Sequence, residues 1–246
     1  MISIFKKKIR ERPDLSGLVT DMHSHLIPGI DDGSPDLDTS LELIEGLADL
    51  GYRKLITTPH ILWDLYKNDI TTITPAYEEL MAGLKAKNSE TPIHFAAEYF
   101  LDYHIDELLE NEKPLLTLKD NMVLVEFSFI SVPLDLKDKL FNLQMAGYQP
   151  VLAHPERYGY LLRTKEVYNE LKDAGYLFQV NLLSLTGYYG KVPYELAHHL
   201  VKNKFVDLLG TDLHHIRHLN ALQSSPELTD IIKYLQDSGT LLNQTL

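Results

Sequence analysis

Apolar residues recur along this chain in two alternating registers. Short runs rich in Val, Ile and Leu give way to longer stretches in which apolar positions return every three to four residues. The runs predict strands at about 18–26, 54–60, 93–100, 121–128, 149–155, 177–184 and 206–212. The helical spacing predicts helices near 35–50, 75–88, 104–112, 135–147, 164–174, 191–203 and 226–237. Ser34 before Pro35 reads as a helix start, with Ser34 as N-cap. Three helices are expected to stop at a glycine followed by tyrosine: Leu50-Gly51-Tyr52, Ala146-Gly147-Tyr148 and Ala174-Gly175-Tyr176.

Seven strand–helix units point to an α/β fold with a mostly parallel sheet, closed as a barrel or left open. No Pro/Gly/Ser-rich linker interrupts the middle, so a single domain is expected over 18–246, preceded by a basic arm over 1–17. The length suffices to bury a substantial core. No apolar run reaches membrane-spanning length and no signal-peptide pattern is present, so a cytoplasmic protein without stable membrane insertion is expected. Cysteine is absent, which excludes disulfides, thiolate–metal sites and a cysteine nucleophile.

Charge is unevenly spread. Residues 1–12 hold five bases (Lys6, Lys7, Lys8, Arg10, Arg12) and the acid Glu11, and the remainder carries a balance of −16. So acidic a body lacks the clustered Lys and Arg that phosphate backbones require, so nucleic acid is not the expected partner. The basic head is read as a solvated arm.

The chemistry lies at the strand ends. Strand one ends in His23-Ser24-His25, an i, i+2 spacing that puts both rings on one face of an extended segment. Strand two ends in Pro59-His60, strand three carries Glu98, and strand four carries Glu126 inside Val123-Leu124-Val125-Glu126-Phe127. Strand five ends in His154-Pro155-Glu156-Arg157, strand six at Asn181, and strand seven in Asp212-Leu213-His214. Six of seven strands thus place a His, Asp or Glu near the C-terminal end, where active sites of parallel barrels sit. Carboxylates in apolar runs are costly to bury unless a metal or partner compensates them. With nitrogen and oxygen donors and no sulfur, the set suits Mn, Fe or Zn in a hydrolytic centre. About nine candidate ligands are too many for one ion, so two to three divalent ions are expected, as in phosphoester hydrolysis.

These residues resemble the polymerase-and-histidinol-phosphatase (PHP) family of metal-dependent phosphoesterases, over nearly the whole chain from His23 to His214. Within it, His-Ser-His-x-x-Pro-Gly-x-Asp-Asp-Gly at 23–33, Ala97-Glu98, Glu126-Phe127-Ser128, His-Pro-Glu-Arg-Tyr at 154–158 and Gln179-Val180-Asn181 look like the bacterial capsule and exopolysaccharide protein-tyrosine phosphatases. The resemblance implies a distorted seven-stranded (β/α)7 TIM-like barrel with three metal ions, manganese first among them. One ion would take His23, His25, Glu98 and Asp212; a second would share Glu98 and add Glu126 and His154; the third would be held by Asp32, His60 and His214. Asp31 is read as a partner of a ligand. Arg157 would meet the substrate phosphate and act in catalysis with Asp212 and His214. Arg217 and Tyr188 are further candidates for substrate binding. His215 and His218 are read as loop residues.

The function so implied is hydrolysis of phosphotyrosine by a metal-activated hydroxide. The protein partner would be a phosphotyrosine protein, the tail of a bacterial tyrosine kinase that regulates polysaccharide synthesis. Two other readings stay open: a histidinol-phosphate or other small-molecule phosphatase on the same core, and a non-catalytic metal-binding module.

Overall fold

The computed structural model describes residues 12–246. Its strands, in chain order, are β1 (Thr20–Asp21), β2 (Lys54–Thr57), β3 (His60–Ile61), β4 (Ile93–Phe95), β5 (Glu98–Phe100), β6 (Met122–Glu126), β7 (Gln149–Ala153), β8 (Leu177–Asn181) and β9 (Leu208–Gly210). Every pairing between them is parallel. They form a three-stranded sheet in the order β1-β2-β4 and a six-stranded sheet in the order β3-β5-β6-β7-β8-β9.

Nine short strands therefore stand where seven were expected. The stretch 54–60 breaks at Thr58-Pro59, because Pro59 has no N–H for the ladder and the Thr58 N–H donates to the Ser24 carbonyl at 2.7 Å. The stretch 93–100 breaks at Ala96-Ala97 for a matching reason. There the Ala96 N–H donates to the Thr57 carbonyl (2.9 Å) and the Glu98 N–H to Pro59 (3.1 Å), so the partner strand changes while hydrogen bonding continues. Beyond β1 and β9, an isolated parallel bridge joins Ser24 to Leu213. Its backbone bonds run from Asp212 N–H to the His23 carbonyl (2.7 Å) and from His25 N–H to the Leu213 carbonyl (2.9 Å).

The helices are α1 (Leu37–Asp49), α2 (Ile70–Ala86), α3 (Tyr103–Glu110), α4 (Leu136–Met145), α5 (Glu166–Asp173), α6 (Leu182–Thr186), α7 (Lys191–Lys202), α8 (Ile216–Gln223) and α9 (Glu227–Asp237). The N-cap of α1 is Asp36, not Ser34: its carboxylate accepts from Thr39 N–H at 2.8 Å, while the Ser34 hydroxyl donates to the Asp36 carbonyl. α2 starts five residues before the expected position, because Asp69 and Thr72 form a reciprocal capping box and Pro75 is carried inside the helix. Gly51, Gly147 and Gly175 do end their helices, at φ of 106°, 88° and 86°, a region glycine enters without steric cost. α6 and α8 had no counterpart in the apolar spacing. The strand expected at 177–184 ends at Asn181, and its last residues Leu182–Ser184 open α6 instead; α8 stands where the sequence reads as loop.

Two apolar clusters hold the fold. The larger fills the space between strands and helices, and is built from residues such as Leu43, Leu47, Val123, Val125, Leu152, Phe178 and Leu209. The smaller joins Met22, Ile56, Ala96, Leu118, Leu124, Val151, Ala153 and Leu208, drawn from strands of both sheets and the residues beside them. Alternation along β6 explains the division: Val123 and Val125 face the helices, Leu124 the inner cluster.

The expected basic arm over 1–17 needs a correction in its last residues. Residues 1–11, with Lys6, Lys7, Lys8 and Arg10, lie outside the described residues. Leu15, however, is fully buried in the main core, and its N–H donates to the Leu50 carbonyl at 2.8 Å. An apolar side chain between polar neighbours carried too weak a pattern to predict this. Among the described residues, no helix is long and apolar enough to cross a membrane.

Candidate active site

The strand ends meet as the repeat predicted. The extended segment after β1 turns the rings of His23 and His25 to one side, where their Nε2 atoms lie 3.4 Å apart. Glu98 Oε2, from the start of β5, lies 3.2 and 3.4 Å from those two nitrogens. Asp212 Oδ1, just after β9, lies 3.4 and 3.6 Å from them. All four side chains are buried. Two glycines make room for the rings. A Cβ on Gly33 would stand 2.3 Å from His25 Cβ, and one on Gly210 would stand 2.7 Å from His23 Cβ.

Each inward atom is aimed by a partner behind it. His23 Nδ1 donates to Gln179 Oε1 at 2.7 Å, and His25 Nδ1 to Asp31 Oδ2 at 2.8 Å, which turns both Nε2 atoms toward the centre. Gln179 Nε2 donates to Asn181 Oδ1 (2.9 Å), and Asn181 Nδ2 to Asp212 Oδ2 (2.7 Å). One amide chain on β8 therefore connects a histidine just past the first strand to a carboxylate just past the last. Asp31 is fixed in turn by the N–H groups of Gly33 and His60. It serves as the partner of His25, while Asp32 turns outward.

A second group surrounds His60. Its Nδ1 lies 3.2 Å from Glu98 Oε2 and 3.1 Å from Glu126 Oε1, and its Nε2 lies 3.4 Å from Asp32 Oδ1. His214 Nε2 lies 3.6 Å from the same Asp32 oxygen, and its ring stacks on that of His25 at 4.0 Å. His154 Nε2 meets Glu98 Oε1 at 3.0 Å and Glu126 Oε2 at 3.9 Å. Nitrogen and oxygen atoms converge within 4.8 Å in four overlapping groups: His25/Asp32/His60/His214, His23/His154/Asp212, His23/His25/Glu98 and His60/Glu98/Glu126. All nine residues expected from the sequence take part. His23, His25, His60 and Glu98 each belong to two groups.

The donor set fits divalent cations. Glu98 Oε2 and the Nδ1 atoms of His60 and His154 are buried with no hydrogen-bond partner. Close contact without hydrogen-bond alignment around a buried carboxylate is the pattern a cation completes. The electrostatics agree. Burial alone would push protons off His23, yet Glu98 and Asp212 outweigh it and hold the ring up at about 9. His60 and His214 are raised against the same burial by neighbouring carboxylates. Burial pushes Glu98 and Asp212 up, but the surrounding histidines pull both well below the usual carboxylate range. His154 and Asp212 both hold left-handed backbone, at φ of 35° and 50°. Such strain persists where a packed site over-determines it.

These groups open into a cavity of about 280 Å³ lined by Asp32, Glu126, Phe129, Arg157, Tyr189 and His218, among others. That is at the small end of ligand pockets. Arg157 enters it from the turn after β7, with Nη1 3.0 Å from Asp212 Oδ2 and its guanidinium 4.3 Å from the Tyr189 ring centroid. Two of the expected substrate contacts are placed elsewhere. Arg217 is exposed on the first turn of α8 and does not line the cavity; the helix turns it outward. Tyr188 is exposed, and its neighbour Tyr189 takes the lining position, because the left-handed Gly187 reorients the chain after α6. His218 is buried and lines the cavity with His215, whose Nδ1 accepts from His218 N–H to cap α8. Both had read as loop residues, since α8 itself gave no sequence signal.

Fold and site together define a parallel βα enzyme-type scaffold with a histidine–carboxylate centre positioned for divalent metal. Comparison places it further. The family model described as "Capsular polysaccharide synthesis, CpsB/CapC" matches residues 19–240. The tyrosine-protein phosphatase YwqE of Bacillus subtilis is 30% identical over 203 residues, covering 81% of this chain and 79% of that protein. The tyrosine-protein phosphatase CpsB of Streptococcus pneumoniae is 27% identical over 202 residues, covering 80% and 83%. The crystal structures of YwqE and CpsB, described as unique metal-dependent tyrosine phosphatases, include one that matches with a TM-score of 0.77 at 26% identity, over 87% of this chain and 85% of that one. An amidohydrolase from Mycoplasma synoviae shares the fold alone, with a TM-score of 0.51 at 14% identity. The chain belongs to the CpsB/CapC family.

Proposed function

We propose that this protein is a metal-dependent protein-tyrosine phosphatase. The observation that carries the reading is the convergence of His23, His25, Glu98 and Asp212 beside Arg157, in a chain whose relatives are named tyrosine-protein phosphatases. In this reading three ions are held: one by His23, His25, Glu98 and Asp212, one by Glu98, Glu126 and His154, and one by Asp32, His60 and His214. Manganese is the first choice, with iron or zinc as alternatives the N/O donor set also accepts. When bound, the ions supply Lewis acidity to the attacking water and to the phosphoryl oxygens.

The chain's own residues do the rest. Arg157, already paired with Asp212, offers its free N–H groups to the phosphoryl oxygens, where charge-assisted contacts are strongest. Asp212 is held by Asn181 and Arg157 and cannot turn away from the centre. His214 Nδ1 donates to the Asp212 carbonyl at 2.9 Å, which aims its Nε2 at Asp32 and the cavity. The leaving phenol has a pKa of about 10, so little is asked of a general acid.

The strand pairings and the Ser24–Leu213 bridge support a distorted seven-stranded barrel, with β2/β3 and β4/β5 each counting as one broken stave. One domain spans the described residues, with the basic head in front of it. The substrate would be a phosphotyrosine segment of a bacterial tyrosine kinase in polysaccharide regulation, and the site of action the cytoplasm. Elemental analysis paired with rates on a phosphotyrosine peptide and on histidinol phosphate tests the reading. Bound metal with preference for the peptide is expected. Preference for histidinol phosphate would overturn the substrate, and metal-loaded protein inert on every aryl phosphate would overturn the activity.

A further inference from the structure

We infer that Phe129 is the wall against which the substrate's phenyl ring packs, and that it sets the preference for aryl over alkyl phosphates. The inference rests on the phosphatase reading and adds a residue that the metal centre does not require. Phe129 lies three residues beyond Glu126, in the loop between β6 and α4, and lines the same cavity. Its ring is 5.5 Å from that of His154 and 5.4 Å from that of Tyr158, and the Arg157 guanidinium sits 5.1 Å over it. The ring therefore stands beside the phosphate-binding arginine.

The segment leading into Phe129 is tied down. The Phe127 N–H donates to the Tyr158 hydroxyl (3.1 Å), the Tyr160 hydroxyl to the Ser128 carbonyl (2.7 Å), and the Ile130 N–H to the Ser128 hydroxyl (3.1 Å). Yet 46% of Phe129 remains exposed. A large apolar ring held in place and left half uncovered at a cavity mouth is a surface for an apolar ligand group. The group attached to a phosphate seated on Arg157 is the ester's organic part. An aryl group gains apolar burial and offset ring contact against Phe129; a methyl group reaches little of it.

Tyr189 does something different. It is more buried, lies 4.3 Å from the Arg157 guanidinium, and acts as a positioning residue for that arginine. Loss of Tyr189 should weaken every phosphate ligand alike, whereas loss of Phe129 should weaken only aryl ones.

Competitive inhibition by phenylphosphonate and methylphosphonate separates these roles, because neither compound has a leaving group. Metal-loaded wild type, Phe129→Ala, Phe129→Leu and Tyr189→Leu are compared with p-nitrophenyl phosphate as substrate, with metal content and thermal transitions as folding controls. Phe129→Ala is expected to weaken phenylphosphonate about ten-fold and methylphosphonate less than two-fold, with Phe129→Leu intermediate. Tyr189→Leu is expected to weaken both equally. If Phe129→Ala does not fold, Phe129→Leu carries the test. An unchanged phenyl-to-methyl ratio in a folded Phe129 variant of an enzyme that still hydrolyses aryl phosphate overturns this inference alone. A wild type that hydrolyses no aryl phosphate overturns the phosphatase reading beneath it.

Discussion

The site has an inner and an outer half, and they are built differently. The inner half, His23, His25, Glu98 and Asp212, is buried, and its histidines and Asp212 are each braced from behind, by Gln179, Asp31, and Asn181 with Arg157. The outer half, Asp32, His60 and His214, opens to the cavity. Its carboxylate Asp32 has a side chain 55% exposed, against 0% for Glu98. Buried, braced ligands pay little reorganisation on binding a cation, whereas exposed ones remain hydrated and mobile in their rotamers. The inner half should therefore hold metal tightly, and the outer half exchange it.

Removing the inner half is expected to have the largest effect. Asp212→Ala takes away an oxygen close to both Nε2 atoms and the anchor of Arg157, so phosphatase activity should fall by roughly a thousand-fold, with metal lost. Elemental analysis and p-nitrophenyl phosphate kinetics report both. Retention of full metal content and rate would deny the inner half its assigned role. Gln179→Leu removes no candidate ligand, only the amide behind His23. It frees the His23 ring and breaks the amide chain to Asp212, so metal affinity or activity should drop about 10–100-fold. An unaltered variant would show that bracing contributes nothing here.

The outer half should respond less. Asp32→Asn is expected to release one equivalent of metal on dialysis while the inner metal stays, with a rate loss smaller than that of Gln179→Leu. Stoichiometry after dialysis against a weak chelator measures this, and the same dialysis of wild type should strip the outer equivalent first. Loss of all metal at once would erase the distinction between the halves.

The smallest effect concerns protons. In the metal-free protein His23 is held at about 9, above its unfolded value near 6.5. That protonated ring stabilises the metal-free fold below about pH 6.5, and the contribution is lost as pH rises through about 9. Metal must displace the proton, so binding at pH 7.5 should release protons and weaken as pH falls. Calorimetry in two buffers of different ionisation enthalpy counts the protons; a count of zero would contradict the ordering.

Much of the site was legible in the sequence, because ligands at strand ends repeat with the strand–helix period. His23, His25, His60, Glu98, Glu126, His154, Asp212 and His214 all fall at or near such ends. The substrate side was not legible. Tyr188 and Tyr189 are adjacent and chemically identical, and only the left-handed turn at Gly187 decides which of them faces Arg157. Arg217 sits three residues after His214, yet α8 points it away. Phe129 carried no pattern beyond that of an apolar residue in a loop.

Local order along the chain therefore determined the parallel α/β class, the three glycine helix stops and the donor types of the centre, since each depends on periodicity or on one residue's backbone freedom. Tertiary structure alone decided how the donors are shared. His25 joins both an inner and an outer group, and Gln179 and Asn181 link His23 to Asp212 across about 190 positions of sequence. No local pattern encodes such links. They arise only when the segments after β1 and β9 are brought side by side by the packing of all the strands between them.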